Sequence, residues 1–458
     1  MKKYLSVLSA IAVVLSLAGC SNSGAVNGPT PSKPAGSASA IEFKGTDIGG
    51  TGVKSDGALA KSGGTGVKFG GTLETLETAD VAAAPGDAGC VPRPDGGIII
   101  DDPDIIDDPD IIDDPDIIVE KPEIPPQAGL LTGGEWNDNA HWADWQALYS
   151  THKDWNSYKM TWKNAADYRI AVKVTSNGEP LEGAKVSCGS AISSAVTDNK
   201  GMAYLFYKSI DGATQEITVD YYNQKKTLDG VKGNAEVECE LGTVGNDEEL
   251  KSLDFMIMCD TTGSMGDELE YLKVELESIV RKIQSENANI LTRTSVNFYR
   301  DEGDEYVVRQ FPFTDDIEKS AKAITEQTAD GGGDFPEAVH TALESAVEGH
   351  DWSENSVKIM FLVLDAPPHE DAQIIDSVNK QIRAAAEKGI RIVPIASSGI
   401  DKSTEYLLRT MAFTTGGTYT FLTDDSGVGG SHLEPTVGAY NVEKLSDMMI
   451  RIVNGYLK

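Results

Sequence analysis

Apolar residues beyond position 246 fall into two alternating patterns. Leu253-Asp-Phe-Met-Ile-Met-Cys259 and Ile359-Met-Phe-Leu-Val-Leu364 are nearly unbroken apolar runs, as expected of strands buried on both faces. Between them, Leu269, Leu272, Leu276, Ile279, Val280 and Ile283 recur at helical spacing, which predicts an amphipathic helix from Asp267 to about Ser285. The same reasoning predicts strands at Ser295 to Tyr299 and Tyr306 to Phe311, helices near Asp316 to Gln327 and Pro336 to Glu348, and further alternating helices and strands to the C-terminus. Strands of this kind between amphipathic helices define an α/β fold with a doubly wound, mainly parallel, Rossmann-like sheet over residues 246–458.

Residues 168–245 follow a different rhythm. Short alternating runs at Tyr168 to Val174, Ala184 to Cys188, Met202 to Tyr207, Glu216 to Tyr221 and Ala235 to Cys239 are separated by turn residues such as Asn177-Gly178. They predict a small all-β antiparallel sandwich. Gly178-Glu-Pro-Leu-Glu-Gly-Ala-Lys-Val186, followed by Thr197 to Ala203, resembles the immunoglobulin-like modules of carboxypeptidase regulatory domains and bacterial surface proteins. In such a module Cys188 and Cys239 could bridge two strands.

Residues 128–167 hold Trp136, Trp142, Trp145, Trp155 and Trp162, five of the six tryptophans of the chain. They are expected to pack beneath a neighbouring sheet, the other reading being a carbohydrate platform. Residues 20–127 lack either apolar period and form an acidic linker rich in Gly, Pro and Asp, expected to be disordered. Within it Ile-Ile-Asp-Asp-Pro-Asp runs three times from Ile99 to Asp116; regular proline and repeated charge favour an extended spacer over a calcium loop. Before it, Lys2-Lys3, an apolar run to Leu17 and Leu17-Ala18-Gly19-Cys20 have the form of a lipoprotein signal peptide over 1–19, with Cys20 as the lipidated residue. This places the chain outside a bacterial cell membrane or outer membrane, held by lipid. A formal charge of -33 argues against nucleic acid as a partner.

Candidate chemistry gathers where the predicted parallel strands end. Asp260-Thr261-Thr262-Gly263-Ser264 spaces a carboxylate and two hydroxyls so that Asp260, Thr262 and Ser264 can face one point as the chain turns into a helix. Asp365 ends the second apolar strand, and Gly331-Gly-Gly-Asp-Phe-Pro-Glu337 lies between. The first five residues resemble the opening element of the metal-ion-dependent adhesion site of von Willebrand factor A domains, Asp-x-Ser-x-Ser in most members. With Tyr299-Arg-Asp301 and the Gly-rich loop, the pattern is most similar to the subgroup that includes A domains joined to alpha-kinases. The resemblance implies a metal site of Asp260, Thr262, Ser264, Asp365 and Asp334, the last standing where threonine is usual. Asp334 could instead hold a water or cap the helix that Pro336 opens. Glu337 and His369 are expected on the solvated surface, the other reading being the rim of the site.

Such hard oxygen donors suit magnesium, with manganese or calcium as substitutes. Family likeness implies a protein ligand, bound through an acidic side chain, and a role in protein binding or adhesion. His-Glu-x-x-His, Gly-x-Ser-x-Gly and phosphate-loop motifs do not occur in the chain. A non-catalytic protein is therefore expected, against the alternatives of a metal-dependent hydrolase and a passive surface scaffold with a structural cation.

Overall fold

The computed structural model describes residues 125–458, apart from 164–165, 190–193, 209–213 and 245–251. The expectations placed on the signal segment, on Cys20 and on the linker as far as residue 124 lie outside the described residues. In chain order the first elements are β1 (Thr132–Trp136), α1 (Trp142–Thr151) and α2 (Trp155–Thr161). Eight strands follow: β2 (Tyr168–Ser176), β3 (Glu179–Pro180), β4 (Lys185–Cys188), β5 (Ser194–Val196), β6 (Met202–Tyr207), β7 (Gln215–Tyr221), β8 (Gln224–Val231) and β9 (Ala235–Leu241). Then come β10 (Ser252–Asp260), α3 (Leu269–Glu286), β11 (Leu291–Tyr299), β12 (Val308–Arg309), α4 (Ile317–Thr325), α5 (Val339–Glu348) and β13 (Ser356–Leu364). The chain finishes with α6 (Ala372–Lys388), β14 (Ile390–Ala396), α7 (Lys402–Thr415), β15 (Tyr419–Leu422), β16 (Glu443–Lys444) and α8 (Leu445–Leu457).

The large sheet has the order β12-β11-β10-β13-β14-β15-β1-β16. Its middle is parallel, β11 through β15, and the strands at both margins pair antiparallel. Seven consecutive residues of β10, from Leu253 to Cys259, are buried, and α3 lays its predicted apolar stripe on the sheet. Each face of the sheet carries its own apolar cluster, one including Met256, Met360 and Leu362 and the other Phe255, Ile257 and Phe361. The alternation follows from the two-residue period of a strand covered on both sides.

β1 reaches this sheet from more than a hundred residues upstream, pairing with β15 from Gly133↔Leu422 to Trp136↔Tyr419. Its Gly133-Gly134 pair explains why it carries no strand signature: a methyl on Gly133 would lie 2.7 Å from the Phe421 carbonyl oxygen, and one on Gly134 would lie 2.5 Å from the Phe421 ring. Only glycine allows that approach. All five tryptophans of the segment are buried, which removes the carbohydrate-platform reading. Trp145 and Trp155 pack edge to face at 5.4 Å and enclose the guanidinium of Arg409 from α7. That guanidinium is bound by Asp138 at 2.6 Å and Glu405 at 3.2 Å, so the segment is fastened to the α/β sheet by a buried ion cluster.

Between α2 and β10 the strands form two four-stranded sheets, one of β3-β2-β6 with β9 beside β2, the other β5-β4-β7-β8. They share a core that includes Ile170, Val172, Val186, Ile217 and Val219. Asn177 (φ 54°) and Gly178 (φ 81°) turn the chain from β2 to β3 with two left-handed residues, the geometry a tight hairpin needs. One pairing departs from the antiparallel expectation: β9 runs parallel to β2, from Ile170↔Ala235 to Ser176↔Leu241. Cys188 on β4 and Cys239 on β9 lie on the two different sheets as buried thiols, in place of the bridge considered above; Cys188 Sγ donates to Gln215 Oε1 at 3.0 Å. The unit docks on the α/β sheet through Arg391 Nη2 to the Val196 carbonyl at 2.7 Å and Asn199 Nδ2 to the Gly455 carbonyl at 2.8 Å. Among the described residues, no helix is long and apolar enough to cross a membrane.

Candidate metal centre

Strand order changes direction at β10: the chain leaves it through α3 to β11 on one side, and β13 lies on the other. In open α/β sheets the crevice for a ligand opens at the carboxyl ends of such strands. Asp260 is the last residue of β10, in register with Tyr299 of β11, and Asp365 directly follows β13. The two carboxyls therefore project from neighbouring strand ends. Past Asp260 the chain makes a single 3-10 turn, Gly263–Asp267, before α3 begins.

Asp260 Oδ1 accepts the Thr262 amide at 2.9 Å and the Thr262 hydroxyl at 2.8 Å, and that hydroxyl lies 3.2 Å from Ser264 Oγ. Ser264 in turn reaches Asp365. Asp260, Thr262, Ser264 and Asp365 thus come together as the sequence predicted. Asp260 Oδ2 and Asp365 Oδ1 are buried and have no hydrogen-bond partner among the described residues. A buried carboxylate oxygen left bare is costly, and here two face one crevice. Burial raises both carboxyls above the ordinary range, and each feels other acids, Asp365 acting on Asp260 and Glu268 on Asp365. Such strain is what a bound cation relieves.

Asp334 is placed otherwise than expected. It stands exposed on the Gly-rich loop, while Glu337 turns inward and is 2 % exposed. The correction has a backbone cause. Gly263 N donates to Gly331 O at 3.2 Å and Asp330 N to Thr261 O at 3.1 Å, which lace the loop to the first element; Glu337 N then donates to Pro367 O at 2.8 Å beside Asp365. Gly332, at φ 71°, fills the gap, since a methyl there would lie 2.9 Å from Glu337 Oε1 and 3.4 Å from Thr262 Cβ. Burial, then Asp260, Asp301 and Asp365, push the Glu337 carboxyl up to about 9, and its Oε2 has no partner among the described residues.

Four further residues belong to this neighbourhood. The Tyr299 phenol, fully buried, is held well above its ordinary range by burial and by Asp260 and Asp365. Glu268 is also buried; its Oε1 accepts the Ser398 amide at 3.1 Å and lies 3.0 Å from His432 Nε2. The other nitrogen of His432 lies 2.8 Å from Asp424, and although burial opposes the charge these two carboxylates raise the imidazole pKa. His369, expected on the solvated surface, is half-buried and paired with Asp301 at 3.0 Å.

The donors fit a hard divalent ion: two carboxylates and two hydroxyls, with water completing an octahedron. Among the described residues no three His, Cys, Asp or Glu side chains converge as a metal cage. Glu337 lies beside these acids with its own carboxyl raised by burial and by Asp260, Asp301 and Asp365. Its raised pKa has a defined consequence in chelator. Native Glu337 keeps its proton where the unfolded chain has lost it, so the associated stability is complete below pH 4.5 and is lost as pH rises through about 9. Urea unfolding in chelator should accordingly show wild type falling behind Glu337→Gln by at least about 1.4 kcal/mol between pH 5 and pH 8. A constant difference between the two would refute the buried, raised carboxyl.

The chain thus forms a parallel-rich α/β sheet with carboxyls and hydroxyls gathered at adjoining strand ends. Residues 252–431 match the von Willebrand factor A domain family model, and the chain contains such a domain. A stretch of 130 residues is 31 % identical to an ariadne-like RING finger protein of Acanthamoeba polyphaga mimivirus; it makes up 28 % of this chain and 12 % of that protein. Two solved structures are also similar. BatB, a conserved hypothetical protein of Bacteroides thetaiotaomicron, shares 13 % identity at a TM-score of 0.32, covering 45 % of this chain and 99 % of its own. An aerotolerance-related membrane protein of Bacteroides fragilis shares 12 % at a TM-score of 0.30, covering 45 % and 98 %.

Proposed function

We propose that this protein is a non-catalytic binding protein whose A domain captures a protein partner in a manner that depends on a divalent cation, and that lipid on Cys20 tethers it outside a bacterial membrane. The observation that carries the reading is the pair of bare, buried oxygens, Asp260 Oδ2 and Asp365 Oδ1, beside the hydroxyls of Thr262 and Ser264. Asp260 and Asp365 would hold the ion directly, with Thr262 and Ser264 as neutral donors. When bound, the ion supplies a fixed positive charge and an exchangeable position open to solvent. The chain's own part is to keep the two carboxyls dry and aimed: the Thr262 amide fixes Asp260, Ser264 fixes Asp365, and Arg300 ties the Thr261 and Thr328 carbonyls at 3.1 and 2.7 Å. β1 joins the large sheet before the sandwich begins, so the chain running from the anchored end enters the A domain first and the sandwich stands beside it. Calorimetric titration of candidate partner proteins in magnesium and again in chelator tests the reading. Binding confined to magnesium is expected, and equal binding in both would refute it.

A further inference from the structure

The loops around the crevice are strongly one-signed. Glu302, Glu305, Asp330, Asp334, Glu370 and Asp371 are all exposed on the segments that follow β11, α4 and β13. These segments adjoin. Asp304 Oδ2 accepts the Gly332 amide at 2.9 Å, and Glu337 bridges to Pro368. The basic groups nearby are already engaged: Arg300 with backbone carbonyls and Glu305, Arg309 with Gln327 and Glu305, His369 with Asp301. Amid these acids Phe335 is 47 % exposed, one of few large apolar side chains on the described surface. Beneath the rim, Glu337 is a buried carboxyl whose Oε2, like Asp260 Oδ2 and Asp365 Oδ1, has no hydrogen-bond partner among the described residues, and its Oε1 lies against Gly332 of the rim loop.

We propose that this loop face docks a basic protein surface carrying an apolar side chain that covers Phe335, and that it excludes a partner's carboxylate. The inference rests on the protein-binding reading above and names the partner's chemistry. A carboxylate approaching the crevice must pass the acidic rim and then meet an ion already held by the Asp260 and Asp365 carboxylates. Its attraction to that ion is opposed at every step by like charge. Lysine or arginine side chains meet the opposite field, and a neutral oxygen of the partner, such as an amide or hydroxyl, can reach the ion without that penalty. Phe335 supplies what the acids lack, an aromatic anchor of the type that concentrates binding energy at interfaces.

The test uses the described protein with magnesium and two short fluorescein-labelled peptides, one of alternating lysine and leucine, the other of alternating glutamate and leucine, followed by fluorescence anisotropy. Wild type should bind the lysine peptide and reject the glutamate peptide. Phe335→Ser, and Glu302→Gln combined with Asp334→Asn, should each weaken lysine-peptide binding at least about tenfold. Glu286→Gln with Asp447→Asn, which removes two exposed acids, one at the C-terminal end of α3 and one on α8, should leave it within about twofold. All five substitutions fall on exposed side chains, so folding is not at stake. Binding of the glutamate peptide in preference to the lysine peptide, or equal weakening by the Glu286 and Asp447 pair, would overturn the inference. Rim-dependent lysine-peptide binding without any magnesium heat would support it while overturning the cation reading.

Discussion

Asp260→Ala is expected to abolish the stabilisation that magnesium gives. At a concentration about a hundred times its dissociation constant, a ligand that binds only the native state adds about 2.7 kcal/mol, which thermal melting resolves readily. The wild type should therefore melt several degrees higher in magnesium than in chelator, and Asp260→Ala at one temperature in both. In chelator the variant should melt above wild type, because the substitution removes a buried carboxyl with a bare oxygen that burial and Asp365 already disfavour. Opposite signs in the two conditions separate loss of a ligand from simple damage to the fold. A variant equally destabilised with and without magnesium would count against the site.

The largest effect on folding is expected elsewhere, at Arg409. Its guanidinium is 1 % exposed and is held by Asp138 and Glu405, between the rings of Trp145 and Trp155. Truncation to alanine leaves the buried Asp138 carboxylate without its cation and Glu405 with Lys402 alone, a loss of about 3–5 kcal/mol. It also unfastens the tryptophan segment from α7. Urea unfolding followed by tryptophan fluorescence measures this, and the double variant Asp138→Asn with Arg409→Ala should lose distinctly less than the sum of the single losses. Additive losses would show that the ion cluster does not act as a unit.

How much of this could be read beforehand varied with the range of the interaction. The strands and helices of the A domain were legible because each advertises itself locally, β10 and β13 by unbroken apolar runs and α3 by its stripe. Asp260, Thr262 and Ser264 were legible for the same reason, since one turn of chain brings them together. β1 was hidden, because its Gly-Gly pair is shaped by close approach to Phe421 on a strand far along the chain. β8 was hidden by its alternation of mostly exposed polar residues. Glu337 was misplaced in favour of Asp334, since which of two acids on a glycine-rich loop turns inward depends on the Glu337 amide finding Pro367. Glu268 and His432 meet across more than a hundred and sixty residues, and nothing in the local pattern of either marks the pairing.

Calorimetric titration of magnesium into the chelator-treated protein decides whether the strand-end carboxyls hold a cation. Saturable binding of a single ion is expected, lost in Asp260→Ala and accompanied by proton release at neutral pH as the raised carboxyls ionise. Titration heats no larger than those of dilution, with manganese and calcium equally silent, would contradict it.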